Sequence, residues 1–377
     1  MERELQVLLI SIMLICPTAI AVKVGYWPAY SYSYFPLSSV NASLYTHLLY
    51  AFADLSNETF EVTISAGNQE SIALFTTTVQ NSNPSVKTLL SIGGGNSNMN
   101  DFSTMAADSS LRKKFIDSAI SLARQYSFHG LDLDWEYPQT LADMENWGQL
   151  FTEWKAAVVD ESGTSGNDPL LLSAAVYFSN QFFQWGIVRQ YPIDSITANL
   201  DWVNIMTYDF VIPTQINKTG EHAALYDPNS KFSTSYGVES WLNAGLSGQK
   251  ILVGMPMYGY SWTLKSTANV GIGAEASGPG NPDVYTFAQI KDFISNNAAT
   301  EVYDTTTVSA YCYAGLVWIG FDNEQSVRAK VEYAKQKGLL GYFFWNVVQD
   351  SNWALSTAAS NAMDQYRLSG DSFSSLW

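Results

Sequence analysis

Cysteine and histidine are almost missing from this 377-residue chain. It holds two of the former, Cys16 and Cys312, and three of the latter, His47, His129 and His222. So thin a supply excludes a disulfide framework, and the scattered histidines offer no metal-ligand spacing. Positive charge is scarce too. Nineteen Lys and Arg stand against 35 Asp and Glu, a formal charge of −16, which argues against nucleic acid or an anionic membrane as partner. The apolar run at residues 7–16 is too short to span a bilayer. No Gly-x-Ser-x-Gly elbow occurs, which disfavours serine hydrolase chemistry. Gly271-Ile272-Gly273-x-x-Ala276 imitates a dinucleotide fingerprint, but no buried strand leads into it and no helix follows closely, so it reads as loop. Neither a metal nor a cofactor is expected.

Aromatic surface, by contrast, is abundant. Twelve Trp, 22 Tyr and 19 Phe make up 14% of the chain, within an apolar fraction of 47%. That is enough to bury a sizeable core, and flat rings also suit the apolar faces of neutral sugars. The 7–16 run, followed by Pro17 and the small-x-small triplet Ala19-Ile20-Ala21, reads as a signal peptide (1–21) cleaved after Ala21. Glu2 and Glu4 flank Arg3, an unusual n-region, and a buried N-terminal strand is the competing reading. Cleavage would remove Cys16 and leave Cys312 alone, as a small buried hydrophobe between Tyr311 and Tyr313. Sequons at Asn41, Asn57 and Asn217 agree with a secretory route. The destination is extracellular, with vacuolar sorting as an option, since the 367–377 tail reads as a disordered end or a trafficking signal.

Apolar segments at 22–27, 46–53, 86–93, 130–136, 170–178, 202–208, 251–258 and 339–347 read as strands, several of them continuous Val/Ile/Leu/Tyr runs typical of parallel strands buried on both faces. Amphipathic helices fall between them, the clearest starting after Asp108, with others at about 143–159 and 323–336. Eight strands alternating with helices predict an α/β fold of the (β/α)8 TIM barrel type over 22–260 and 323–366. The eighth strand comes late. Residues 261–322, rich in Gly, Ser, Thr and Tyr, are therefore expected to form a small α+β insertion domain between strands 7 and 8.

One strand carries the chemistry. In Leu131-Asp132-Leu133-Asp134-Trp135-Glu136-Tyr137-Pro138 the acids recur at every second position, so alternation points all three to one face and Leu131, Leu133 and Trp135 to the other. Crowded carboxylates repel one another, and one of them is thereby kept protonated near neutrality, as glycosidic hydrolysis requires. A solvated acidic edge strand is the plainer alternative; leucines on the opposite face and Pro138 at the end argue for a buried strand delivering a site at the barrel's C-terminal rim.

These residues sit among further motifs: Ser91-Ile92-Gly93-Gly94-Gly95, Met206-Thr207-Tyr208-Asp209, Trp345, and in the insertion Tyr311-Cys312-Tyr313-Ala314-Gly315 and Trp318-Ile319-Gly320-Phe321-Asp322. Together they resemble the plant class V chitinases of glycoside hydrolase family 18 across essentially the whole mature chain. The resemblance implies a substrate-assisted retaining hydrolysis of N-acetylglucosamine polymers, outside the usual two-carboxylate scheme. In the substrate-assisted mechanism that the resemblance implies, Glu136 is the general acid. Asp134 holds the substrate's acetamido N–H, Asp132 shares a proton with Asp134 from behind, and Tyr208 orients the acetamido carbonyl. Asp209, Met206, Trp345, Tyr26 and Phe52 would bind the sugar, with Trp345 as the floor of the subsite. Ser91–Gly95 on its own reads as a tight turn that permits close packing. Tyr208, Asp209 and Trp345, each taken singly, would read as strand-end turn and core. The implied partner is chitin or a chitooligosaccharide, bound by a monomer.

Departures from the resemblance cluster around the groove. Phe210-Val211-Ile212-Pro213-Thr214-Gln215 replaces an aromatic, Gly-containing loop ending in Trp; Thr263 stands where an Arg is frequent, and Asn346 where His is frequent. They suggest altered subsites, or a different acetamido sugar such as a lipid-modified chitooligosaccharide. A lectin that binds without turnover is the second function compatible with the sequence, and a glycosidase inhibitor the third. The intact Asp132, Asp134, Glu136 and Tyr208 favour the enzyme.

Overall fold

A computed structural model describes residues 21–365. The leader assigned to 1–21 (except Ala21), Cys16, and the 367–377 tail lie outside the described residues. Eight parallel strands close on themselves: β1 (Val22–Pro28), β2 (His47–Leu55), β3 (Lys87–Gly93), β4 (Gly130–Asp134), β5 (Leu171–Tyr177), β6 (Trp202–Met206), β7 (Ile251–Pro256) and β8 (Gly341–Trp345). Each pairs with its sequence neighbours, and β1 pairs with both β2 and β8, so no edge is left open.

Alternation decides what fills the barrel. Val24, Tyr26, Leu49, Ala51, Leu89, Ala175, Trp202, Met206, Leu252 and Phe343 form one cluster inside it. The opposite strand faces, including Trp27, Leu131, Leu133 and Trp135, join the much larger core beneath the surrounding helices. Helix Ser109–Gln125 leads into β4. Asp108 starts it by accepting from the backbone N–H groups of Ser110 and Leu111, and Phe115, Ile116 and Ala119 are buried on its inner side. Helix Leu141–Ser165 follows β4 and opens with a reciprocal capping box between Thr140 and Asp143.

Strands four and six stop earlier than expected, at Asp134 and Met206, so Glu136, Tyr208 and Asp209 sit on the loops that leave the strand ends. β7 likewise ends at Pro256, and Tyr258–Leu264 already belongs to the inserted unit. That unit is a five-stranded antiparallel sheet in the order Ala276–Thr286, Tyr258–Leu264, Val317–Phe321, Ser309–Ala314, Thr300–Asp304, with helix Phe287–Asn297 beside it. Trp262 and Trp318 meet edge to face inside a small apolar cluster of its own. Cys312 is a fully buried free thiol, pushed up to about 12 by burial. The Gly271–Gly273 segment is a turn that runs into the strand Ala276–Thr286, with no helix directly after it.

Candidate active site

Asp132 lies in the barrel interior, fully buried, and four donors converge on its carboxylate. Ser173 Oγ (2.6 Å) and Asn204 Nδ2 (3.2 Å) bind one oxygen; Ser91 Oγ (2.7 Å) and the Tyr26 hydroxyl (3.0 Å) bind the other. The register explains the convergence, because Ser91 on β3 and Ser173 on β5 are the direct cross-strand partners of Asp132. Asn204 also donates to the Tyr26 hydroxyl at 2.9 Å, and its own oxygen accepts from Trp202 Nε1 at 3.1 Å. Burial raises the proton affinity of Asp132, and the four hydrogen bonds hold that rise back.

Two residues on, Asp134 is buried too, and its Oδ1 has no hydrogen-bond partner. Burial, then the charges of Glu136 and Asp132, raise its proton affinity well above the usual carboxylate range. A buried carboxylate oxygen without a donor is a costly arrangement that a substrate N–H can relieve. Glu136 is half-buried beyond the strand end. Burial and the Asp209 charge push its carboxyl up to about 7.

The glycine run on β3 makes room for these acids. Gly94 donates its N–H to the Asp134 carbonyl at 2.8 Å, and a Cβ on Gly95 would stand 3.1 Å from Glu136 Oε1. The other side of the acid loop is strapped by a hairpin that pairs Gln181–Gln184 with Ile187–Gln190. Its Arg189 is fully buried, packs over the rings of Phe182 (4.5 Å) and Trp185 (4.6 Å), and donates to the Pro138 carbonyl. Tyr137 is wedged between Tyr177 and Phe182, with its hydroxyl against Met206 Sδ.

The remaining sugar-binding candidates gather at the same rim. Trp345 stacks on Phe52 with centroids 5.5 Å apart and meets Tyr26 edge-on at 5.7 Å. Tyr208 lies edge-on to Phe343 and Tyr258, and Asp209 accepts from the Tyr258 hydroxyl at 2.6 Å. Tyr30, Phe52, Asp54, Asn68, Asn98 and Asp101 line a cleft of about 390 Å³ on the side of the first three strands. The nine candidates thus share one rim or the barrel interior directly below it. The sequons do not belong to it: Asn57 and Asn217 are exposed and Asn41 is half-buried. Asn346 is buried and reaches the Tyr30 hydroxyl at 3.4 Å. Thr263 points into the insertion sheet, donating to the Pro279 carbonyl. Among the described residues, no cluster of His, Cys, Asp or Glu could hold a metal ion.

Comparison with known proteins decides the kinship. A family model described as glycosyl hydrolases family 18 matches residues 22–350. The chain belongs to glycosyl hydrolase family 18. A class V chitinase of Arabidopsis thaliana is 49% identical over 347 residues, 91% of this chain and 90% of the relative. Among solved structures, a family 18 chitinase from Cycas revoluta in complex with (GlcNAc)3 is 51% identical, with a TM-score of 0.88 over 91% of this chain and 99% of that one. A chitinase-like agglutinin from Robinia pseudoacacia is 45% identical, with a TM-score of 0.84 over 91% of this chain and all of the other.

Several members of this family 18 site are not evident from the sequence. Ser173 and Asn204 do have a signal, each a lone polar residue inside an otherwise apolar strand at a position facing inward. Ser91 looks, in sequence, like part of a turn. Arg189, Tyr258 and His222 carry no local signal, because what makes them matter is contact with residues from about 13 to more than 50 positions away.

Proposed function

We propose that this family 18 member is a secreted endo-acting chitinase, cleaving β-1,4 bonds between N-acetylglucosamine units with retention of configuration. Glu136 gives its proton to the leaving glycosidic oxygen while the substrate's own acetamido oxygen attacks the anomeric carbon. The bond to the leaving sugar breaks, and a cyclic oxazolinium forms. Water then opens this ring at the same carbon, and the Glu136 carboxylate takes the water's proton back. Asp134, its proton affinity raised at rest and its proton shared with Asp132, passes that proton to Asp132, accepts the acetamido N–H on its unpartnered oxygen, and then offsets the charge of the oxazolinium. Asp132 supports Asp134 from below, Tyr208 steadies the acetamido oxygen, and Trp345 carries the ring of the reacting sugar, with Asp209, Met206, Tyr26 and Phe52 around it.

The observation that carries this reading is the placement of Glu136, half-buried just past the end of β4, beside Gly95 and above the buried Asp132 and Asp134. A carboxyl held at about 7 is still a proton donor where an ordinary glutamate is fully ionised. The names of the relatives add weight, since one is a chitinase and another was solved with (GlcNAc)3. A second reading, a chitooligosaccharide lectin, has a specific basis in the agglutinin at 45% identity. The reading includes residues 1–21 as a leader and a monomeric mature chain; the N-terminal sequence of exported protein, expected to begin at Val22, checks the former.

The deciding experiment incubates the mature protein with N-acetylglucosamine hexamer beside Glu136→Gln and follows products by mass spectrometry. Shorter oligomers from wild type alone support the hydrolase. A hexamer that is bound but stays intact replaces it with the lectin.

A further inference from the structure

His222 is buried to 1% exposure on the loop between β6 and the helix Thr234–Asn243, where that loop packs against the insertion sheet. Its ring sits against Tyr258 (centroids 5.1 Å, tilted) and edge-on to Tyr260 (5.0 Å), both on the first insertion strand. Nε2–H donates to the Tyr258 carbonyl at 3.2 Å, which fixes that nitrogen. Nδ1 is buried with no hydrogen-bond partner, and 3.6 Å from it lies Oδ1 of Asp209. The backbone repeats the link, because the N–H of Phe210 donates to the His222 carbonyl at 2.9 Å.

A neutral ring would turn its buried, bare lone pair towards a carboxylate that is open to solvent on its far side, 39% exposed, and a lone pair facing an anion is an unfavourable pairing even there. An imidazolium has a second N–H there, aimed at the anion. The other groups around the ring leave that role open. Tyr258 and Tyr260 are phenols that hydrogen-bond to the same Asp209 carboxylate, and burial keeps both protonated. Glu221, next along the chain, is hydrogen-bonded towards Ser309 and Thr307 and favours its neutral form, while Lys330 is spent on Asp322 and the Ala223 carbonyl. Asp209 is therefore the anion that His222 answers, and it has φ of +60° in the turn directly after Tyr208.

We propose that His222 is a positioning residue for hydrolysis, an imidazolium clamped between the Tyr258 carbonyl and the Asp209 carboxylate, which holds Asp209 in place beside the acid and offsets part of its charge. The inference rests on Glu136 being the acid, because Asp209 is the charge that acts on it. His222 touches no substrate; it works through Asp209.

The test uses His222→Asn and His222→Phe in the full mature protein, each also in an Asp209→Asn background. Hexamer cleavage is read as kcat and KM against pH, and the imidazole 15N shifts of His222 are read by NMR in wild type and Asp209→Asn. Asn returns a donor near the Nδ1 position without the charge; Phe keeps the ring packing and loses both. The expected result is a fall in kcat of about tenfold for Phe, largely rescued by Asn, with KM little changed. In both variants the alkaline limb moves up by about half a unit, because the Asp209 charge is no longer offset. No such movement is expected in the Asp209→Asn background, and the His222 shifts should respond to Asp209→Asn. An unmoved limb, or an equal movement with Asp209 already replaced, overturns the proposal. So do 15N shifts indifferent to Asp209, and that readout works even if the protein hydrolyses nothing. Activity surviving Glu136→Gln would instead sink the assignment of the acid.

Discussion

A side-chain carbon on Gly93 would fall 2.2 Å from the carbonyl oxygen of Asp134, a separation no real structure tolerates. Gly93 also has φ of +112°, where a side chain is strained whatever the space. The contact is backbone against backbone, so nothing flexible can yield. Gly93→Ala is expected to cost more than about 3 kcal/mol and to displace β4 with its acids. Gly245, with φ of +102° and open space around it, separates the two causes. Gly245→Ala should lose only about 1 kcal/mol to strain and keep its activity. Thermal unfolding of both variants against wild type checks the pair; equal losses would mean that the close approach to Asp134 carries no cost.

Activity should fall as pH rises through about 7, because the proposed acid is then deprotonated. Asp209 is the leading charge behind that value after burial, so Asp209→Asn should lower the proton affinity of Glu136 and move the alkaline limb to lower pH. A shift of roughly one unit is the scale to expect from one nearby charge. The measurement is kcat/KM for the hexamer between pH 4 and 9. A limb that stays put would remove Asp209 from the control of the acid.

The barrel was legible because its strands are continuous apolar runs with helical patterns between them, and all eight fall where those runs lie. Periodicity of two also put Asp132 and Asp134 on one side and Leu131 and Leu133 on the other. It extended the strand too far, to Glu136, because alternation continues in the sequence after pairing has stopped at Asp134. Asp132 could be placed from the sequence but its partners could not. Ser91, Ser173, Asn204 and Tyr26 come from four other strands, and only the closed register brings them to one carboxylate. His222 shows the same limit. A lone histidine looks like packing until the loop after β6 is seen to set Asp209 against it.

Glu221 offers a test that avoids the acids of β4. It is buried, one of its oxygens lacks a partner, and burial pushes its carboxyl up to about 7. A carboxyl raised in the folded state contributes stability that is complete below its unfolded value and is lost as pH climbs through the folded one. The window therefore runs from about 4.5 to about 7. Glu221→Gln removes the ionisation, so it should be nearly neutral at pH 4 and stabilising at pH 8, by an amount on the order of 2–3 kcal/mol. Denaturant melts at the two pH values check this, and a difference of the opposite sign would mean that Glu221 is ionised and satisfied where it stands.

Ser91 and Ser173 reach the chemistry only through Asp132. Each hydroxyl donates to a different oxygen of that carboxylate, and both restrain the rise in its proton affinity that burial imposes. With one hydroxyl gone, the Asp132 carboxylate and the proton it would share with Asp134 are held less firmly, and in the proposed mechanism Asp134 is then less well placed while the oxazolinium carries its charge. Both serines are fully buried with their hydroxyls on Asp132, so neither is open to a ground-state sugar. Ser91→Ala and Ser173→Ala are thus each expected to lower kcat by about tenfold and leave KM nearly unchanged, the mark of an interaction felt in the transition state. The double variant should fall short of the product of the two, since both act on one carboxylate. Steady-state kinetics on the hexamer for the four proteins supplies the cycle. A rise in KM with kcat intact would place the serines in substrate binding instead, and full additivity would show that Asp132 does not join them.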